Sequence, residues 1–191
     1  GGFGENKTLE YHVMVGNGTH VNAETNTKKK GMASVRIHAG ENLVLEAYGD
    51  YEDRIDSADR YLYFGFAGYQ SERTRAGLQY AQQTRLKNED DAEYELRILS
   101  GFFTKGLSEK TWILVRVDRN MDPNPAGESI QYMPFADTAA NTFFIAGLDF
   151  HVAEGVSLIP NVEATVYDDP DGALEAPDTD VMLRLTFQGK F

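Results

Sequence analysis

Hydrophobic and polar residues alternate one by one along most of this chain. The clearest case is the last stretch. There Val181, Leu183, Leu185, Phe187, Gly189 and Phe191 share one parity, and Asp180, Met182, Arg184, Thr186, Gln188 and Lys190 share the other. Successive side chains of a strand point to opposite faces, so this pattern predicts a ribbon with one oily side and one wet side. The same alternation sets Leu9, Tyr11, Val13 and Val15 against Glu10, His12, Met14 and Gly16, and Ala33, Val35 and Ile37 against Ser34, Arg36 and His38. It sets Tyr94, Leu96, Ile98 and Phe102 against Glu95, Arg97 and Leu99. Ile113, Val115 and Val117 oppose Trp112, Leu114, Arg116 and Asp118, and Leu158, Val162, Ala164 and Val166 oppose Asn161, Glu163 and Thr165. Tyr61 to Tyr69 is apolar at both parities and gives no orientation. Ten strands follow, over 9–18, 31–39, 43–52, 60–71, 74–84, 93–104, 110–118, 142–153, 156–167 and 180–191. No helical period of comparable strength competes.

The connections sort by length. Ala39 to Asn42, Ser71 to Arg73, Lys105 to Glu109 and Ala153 to Gly155 are short. Asn17 to Lys30, Asp53 to Asp59, Leu86 to Ala92, Arg119 to Asn141 and Asp168 to Asp178 are long and polar. Short and long connections alternate, so an up-and-down meander puts all short ones at one end. Transmembrane barrels have this asymmetry, while a soluble sandwich has no reason to sort its loops. Oily-face aromatics are expected at two rims: Tyr11, Phe102, Phe150, Phe187 and Phe191 beside the short turns, and Tyr51, Tyr80, Tyr94 and Phe144 beside the long loops. That arrangement resembles two aromatic girdles around an aliphatic belt. A ten-residue strand rises ~33 Å, and a ~45° tilt reduces this to roughly 23 Å, near the ~25 Å apolar band of a membrane barrel. The fold class expected is therefore all-β: an antiparallel up-and-down transmembrane β-barrel, one domain over residues 1–191. The competing soluble barrel or sandwich would exchange inside and outside.

Composition narrows the functional classes. The 191 residues are 41% hydrophobic, and the purest apolar runs, Trp112 to Val115 and Phe143 to Ala146, are far too short for a spanning helix. With 18 basic against 30 acidic residues the formal charge is -12, opposite in sign to a generic nucleic-acid binder. Cysteine is absent, which removes disulfides, thiolate metal sites and cysteine nucleophiles. No nucleophile elbow, phosphate-cradling glycine loop or zinc-protease motif occurs. Of His12, His20, His38 and His151, His20 alone falls in a long loop, and it has no recognisable partner motif. No enzyme, cofactor or metal site is assigned.

The stretch Val181 to Phe191 resembles the closing strand of bacterial outer-membrane β-barrels. In that class a final Phe after alternating apolar residues is the signal read by the barrel-assembly machinery, which implies that role for Phe187 and Phe191. More loosely, Tyr11 to Gly18, Leu45 to Tyr51, and Ile145 to Phe150 through Pro160 to Glu163 resemble C-terminal strands of porins of the phosphate-selective porin O/P type. The resemblance implies a bacterial outer-membrane location, contact with outer-membrane lipid and lipopolysaccharide, assembly as a homotrimer, and general diffusion. Members of that family are longer, with ~16 strands and a signal peptide. Gly1-Gly2-Phe3-Gly4 carries neither a basic start nor an apolar stretch. The expectation is the C-terminal portion of a longer porin, opening at a turn before a rising strand.

The inferred lumen face carries Arg36, Arg97, Arg116 and Arg184 with Glu46, Glu95, Asp149 and Glu163, and also Glu10, Asp50, Asp118, His12, His38 and His151. Opposed charges across a pore screen solutes by charge and size, and the arginines are the contacts for an anion. Alternatively, these charges pair between neighbouring strands and hydrate the wall. Two acidic clusters lie in long loops: Asp168, Asp169, Asp171, Glu175, Asp178 and Asp180, and Glu89, Asp90, Asp91 and Glu93. Either holds divalent cations or is solvated surface. Asp118 to Asn124 begins like a calcium loop, but Pro123 stands where that pattern needs glycine. Two functions remain open: an outer-membrane porin for passive diffusion of small hydrophilic solutes or ions, including anions, and a non-conducting barrel that binds partners through its acidic loops.

Overall fold

A computed structural model describes residues 1–3, 8–17, 27–54, 59–86, 93–130, 134–170 and 175–190. Eleven strands follow in chain order: β1 (Gly2–Phe3), β2 (Leu9–Asn17), β3 (Lys29–Ala39), β4 (Leu43–Glu52), β5 (Arg60–Gln70), β6 (Thr74–Arg85), β7 (Tyr94–Gly106), β8 (Thr111–Asn120), β9 (Asn141–Ala153), β10 (Val156–Tyr167) and β11 (Asp180–Gly189). The only helical piece among the described residues is a 3-10 turn, Gly127–Ser129. The strands are hydrogen-bonded in sequential order from β1 to β11, an antiparallel meander. β1 and β11 are its two terminal strands. The ten alternating stretches are β2 to β11. The two-residue β1, which pairs Phe3 with Leu9 and Gly2 with Glu10, is too short to show any period.

Residue contacts group the chain into two compact units. Unit 1 holds residues 1–68 and 79–97, and unit 2 holds residues 69–78 and 98–191. β5, β6 and β7 each contribute to both.

In unit 1, β2, β3 and β4 pair without a slip, placing Tyr11 opposite Val35 and Val35 opposite Ala47. One residue along, Glu10 faces Arg36 and Arg36 faces Glu46. β5 has the orientation that its own sequence withheld. Phe64 stacks on Tyr48, ring centroids 4.9 Å apart, on the ionic side, and Tyr61 meets Tyr51 at 5.1 Å on the apolar side.

In unit 2, β8 to β11 pair with one irregularity, between Val156 and Ser157 on β10. Val117, Phe144, Ala164 and Val181 lie in one cross-strand row. Asp118, Phe143, Thr165 and Asp180 lie in the next. The hairpin turns use glycine where the backbone demands it: Gly40 and Gly155 have φ of 76° and 68°. A Cβ on Gly155 would also stand 2.9 Å from the Lys190 carbonyl oxygen.

Burial is inverted relative to a water-soluble domain. Among the described residues the buried hydrophobics are Ala81 and Ala139 alone, whereas Asp50, Glu52, Asp118, Asn141, Glu163 and Thr165 are buried. Many large apolar side chains are exposed, with Val13 and Val15 at 74%, Leu183 at 84% and Phe187 at 68%.

Gly155→Ala should destabilise the refolded chain by more than the ~1–2 kcal/mol of a left-handed alanine, because a backbone clash adds to it. Gly40→Ala, with open space around its Cβ, should show the conformational cost alone. Gly16→Ala, with nothing within 4 Å and no positive φ, should be nearly neutral. Urea unfolding of the three variants measures the order.

Candidate functional site

The ionic face of unit 1 is a ladder across three strands. Arg36 on β3 sits between Glu10 on β2 and Glu46 on β4. Its Nη2 lies 2.7 Å from Glu46 Oε2, its Nε donates to the same oxygen at 3.1 Å, and Nη1 is 3.8 Å from Glu10 Oε2. His38 Nε2 stands 3.6 Å from the other Glu10 oxygen. Further towards the long loops, Lys30 Nζ is 3.1 Å from the buried Asp50, which also accepts from the Tyr48 hydroxyl at 2.7 Å. At the rim Glu52 meets Arg54 at 3.4 Å and Arg60 at 4.0 Å, while Arg85 donates to the Tyr94 hydroxyl at 2.9 Å. The Arg60 Nε is buried and has no hydrogen-bond partner.

Unit 2 repeats the arrangement. Arg116 Nε donates to Asp118 Oδ2 at 2.7 Å, and the Ser100 hydroxyl donates to Asp118 Oδ1. Arg184 Nη2 lies 3.3 Å from Glu163, whose side chain is nearly inaccessible. Asn161, opposite Arg184, donates to the Thr186 hydroxyl at 3.3 Å. Asp149 Oδ2 is 3.5 Å from His151 Nε2.

Arg36, Glu46, Arg116, Arg184, Asp149 and Glu163 thus stand on the ionic faces of their units. Arg97 and Glu95 do not share that face, and here the sequence-based orientation of β7 is reversed. Glu95 accepts from Gln82 Nε2 at 2.9 Å, and Gln82 accepts from the Tyr63 hydroxyl, on the face of Tyr61 and Tyr51. Arg97 has the parity of Glu95. Tyr94 turns to Arg85 instead, and in unit 2 Phe102 lies directly opposite Arg116 while Phe103 lies opposite Val115. Tyr94 and Phe102 therefore leave the apolar rims, and the exposed Tyr61, Tyr63, Tyr69 and Phe103 join that face. The cause is phase. β7 carries large apolar residues at both parities, and its charges, Glu95, Arg97 and Lys105, all fall on one of them.

Most charges on these faces are paired within their own sheet, as the wall-hydrating alternative anticipates. Exposed pairs of this kind contribute ~0–1 kcal/mol, so Arg36–Glu46 is chiefly a register device. The buried Glu163 is different, because removing its partner leaves an uncompensated carboxylate.

At the long-loop end of β8, Arg119 donates through Nη1 to Asp168 Oδ1 at 2.8 Å. This hydrogen bond, opposed by desolvation and aided by the charge, holds the Asp168 carboxyl below its ordinary range. The Asp168 N–H donates to the Ala140 carbonyl at 2.9 Å and the Ala136 N–H to the Tyr167 hydroxyl at 3.2 Å. The loop after β8 is thereby fastened to the end of β10. Asp118 lies inside β8 with its carboxylate engaged, so it does not open a calcium loop. Within the other acidic cluster, Asp180 accepts from the Tyr167 hydroxyl at 2.7 Å. Phe187 is on the exposed apolar face of β11. Phe191, His20, Asp171 and the run Glu89 to Asp91 fall outside the described residues.

One concave region was not visible in the sequence. In unit 2 the short-turn ends of β6 to β11 surround a basin of roughly 790 Å³ that includes Arg75, Trp112, Asp149, His151 and Lys190. Its lining comes from six strands at once, so no sequence window contains it. No family model, curated protein or solved structure matches the chain.

Arg184→Leu should destabilise the folded chain towards the lower end of ~3–5 kcal/mol, and the double replacement of Arg184 and Glu163 by leucine should recover most of the loss. Urea titrations of the single and double variants read this coupling. The Asp168 contact should respond to acid. A carboxyl whose folded pKa is depressed stabilises the fold fully above its unfolded value of ~3.9, and that stability disappears as pH falls through the folded value. The melting-temperature gap between the parent chain and Asp168→Asn should therefore be widest near neutrality and close below about pH 4.

Proposed function

We propose that this chain builds the wall of a transmembrane β-barrel in the bacterial outer membrane and lets small hydrophilic solutes or ions, anions among them, diffuse passively along its ionic face. One observation carries the reading: most of the exposed large aliphatic and aromatic side chains lie on the apolar face of their strands, while among the described residues the buried side chains other than Ala81 and Ala139 are carboxylates, amides and hydroxyls. Water offers no stable home to such a face, since contiguous exposed apolar patches beyond a few hundred Å² mark an interaction surface. Acyl chains do. A barrel in lipid must alternate apolar-out and polar-in along every strand and must close, because unpaired edges are not viable there. The alternation of short and long connections favours the same reading. In it the long loops face the exterior and meet lipopolysaccharide, Phe187 and Phe191 form the barrel-assembly signal, and trimers pack through the outer face.

Barrels of ~8 strands are filled by side chains and porins of ~16–18 strands are open. The ten full-length strands among the described residues lie between these limits. A second reading, a non-conducting barrel that binds partners through its acidic loops, draws support from the cross-strand pairing of Arg36 with Glu10 and Glu46.

Refolded protein in planar bilayers should give steady ohmic steps. Silence from correctly folded protein would overturn the channel and leave the binding barrel. Separately, spin labels at Val13 and Leu183 should be relaxed by an agent dissolved in the bilayer, and labels at Ser34 and Thr186 by a water-soluble one. Leu183→Arg should cost up to ~2–4 kcal/mol when folding is followed in lipid.

A further inference from the structure

The basin in unit 2 has its own chemistry. Trp112 forms its aromatic floor, with the His151 ring stacked nearby at a centroid distance of 6.5 Å and 25° between planes. The indole is seated by Gly106, which is buried. A Cβ there would lie 3.2 Å from Trp112 Cε2 and 3.2 Å from Arg73 Nε, so glycine opens the slot that both groups share. Asp149 is held on one side only: Oδ2 is 3.5 Å from His151, and Oδ1 is buried without a hydrogen-bond donor. The Asp149 side chain keeps 23% of its surface accessible, so a ligand hydroxyl can meet the carboxylate from the basin. Around this floor stand Arg75, Lys110 and Lys190, outnumbering the basin's carboxylates, Asp149 and Glu154, in a chain of net charge -12. The volume of roughly 790 Å³ suits a small organic molecule.

We propose that this basin binds a sugar acid, a pyranose bearing a carboxylate. The flat, weakly polar face of the ring covers the Trp112 indole, whose electron-rich face attracts it. A hydroxyl donates to the accessible part of the Asp149 carboxylate, beside His151. The carboxylate is taken by Arg75 and the flanking lysines, with the guanidinium fork giving directional contact. Inorganic phosphate offers no ring to cover the indole, and a neutral sugar leaves the cations unanswered. The inference rests on the channel reading only in placing the basin on the solute's path, at the short-turn end.

Trp112 is the chain's single tryptophan, so its emission reports on this site alone. The test titrates folded protein in detergent micelles at constant ionic strength with sodium glucuronate, glucose or inorganic phosphate. Glucuronate should change Trp112 emission saturably. Glucose should need at least tenfold higher concentration, and phosphate should do no more than sodium chloride. Asp149→Ala should weaken both sugars. Arg75→Gln, at an exposed position that leaves folding intact, should weaken glucuronate at least fivefold and leave glucose unchanged. A glucuronate response no larger than that of sodium chloride overturns the site, as does equal binding of phosphate or undiminished binding by Arg75→Gln. Conductance separates this result from the channel reading. Ohmic channels with an unresponsive Trp112 sink the site alone, and saturable binding by a silent barrel sinks the channel alone.

Discussion

A sheet that buries carboxylates, amides and hydroxyls while leaving Leu183, Val13 and Phe187 bare cannot be held by the force that holds most domains. Apolar burial contributes about 25 cal/mol per Å² removed from water, and within either unit that contribution is scarcely collected. Cohesion falls to the antiparallel ladder. β10 pairs with β9 and with β11 along nearly its whole length, and β3 does the same with β2 and β4. A ladder alone is marginal in water. It becomes strong where water cannot compete for backbone N–H and C=O groups, and that is the environment in which the exposed apolar face also ceases to be costly. Both needs of the fold, a dry setting for its backbone and a partner for its oily side, are met by the one surrounding proposed here.

The ionic side has a second task besides hydration. Side chains repeat every two residues along a strand, so a slip of one residue sends every inward group outward. In unit 1 such a slip between β3 and β4 would place Arg36 opposite an apolar residue, Leu45 or Ala47, in place of Glu46. Glu10, Arg36 and Glu46 therefore fix the phase of three strands at once, and Glu163 with Arg184 does so for β10 and β11. Individually exposed pairs add little stability. Collectively they make the wrong registers worse, which is the function that matters in a sheet with a slender core.

How far the sequence could be read follows from the same physics. β2, β3, β8, β10 and β11 were legible in extent and in facing, because one parity is apolar and the other is not. Connection lengths fixed the meander, since Gly40 and Gly155 mark turns too tight for other residues. β7 was legible in extent only. Tyr94, Leu96, Ile98 and Phe102 compete with Leu99 and Phe103, and the presence of Glu95 and Arg97 on one parity suggested the wrong phase. The informative signal was Ser100, whose partner Asp118 lies on a different strand. β5 had no phase of its own and took it from Tyr48 and Tyr51 on β4. The Trp112 basin was illegible for the same reason. Its groups come together only once six strands are in register.

Pairing also decides where a polar wall can discriminate. Opposite charges about 3 Å apart act at a distance as dipoles, whose field fades faster than that of a lone charge and is screened within ~8–10 Å by physiological salt. On the channel reading, the rungs at Arg36 and Arg184 leave a passing solute nearly undisturbed. Discrimination then concentrates where the balance fails. In unit 1 that is the long-loop rim, where Arg54 and Arg60 share Glu52, Arg85 adds a further positive charge near Arg60, and the buried Arg60 Nε lacks a hydrogen-bond partner. In unit 2 it is the short-turn end, where cations gather around Trp112. On that reading each unit divides the work within itself: its paired charges keep neighbouring strands in register, and discrimination falls to the cations that outnumber the carboxylates beside them.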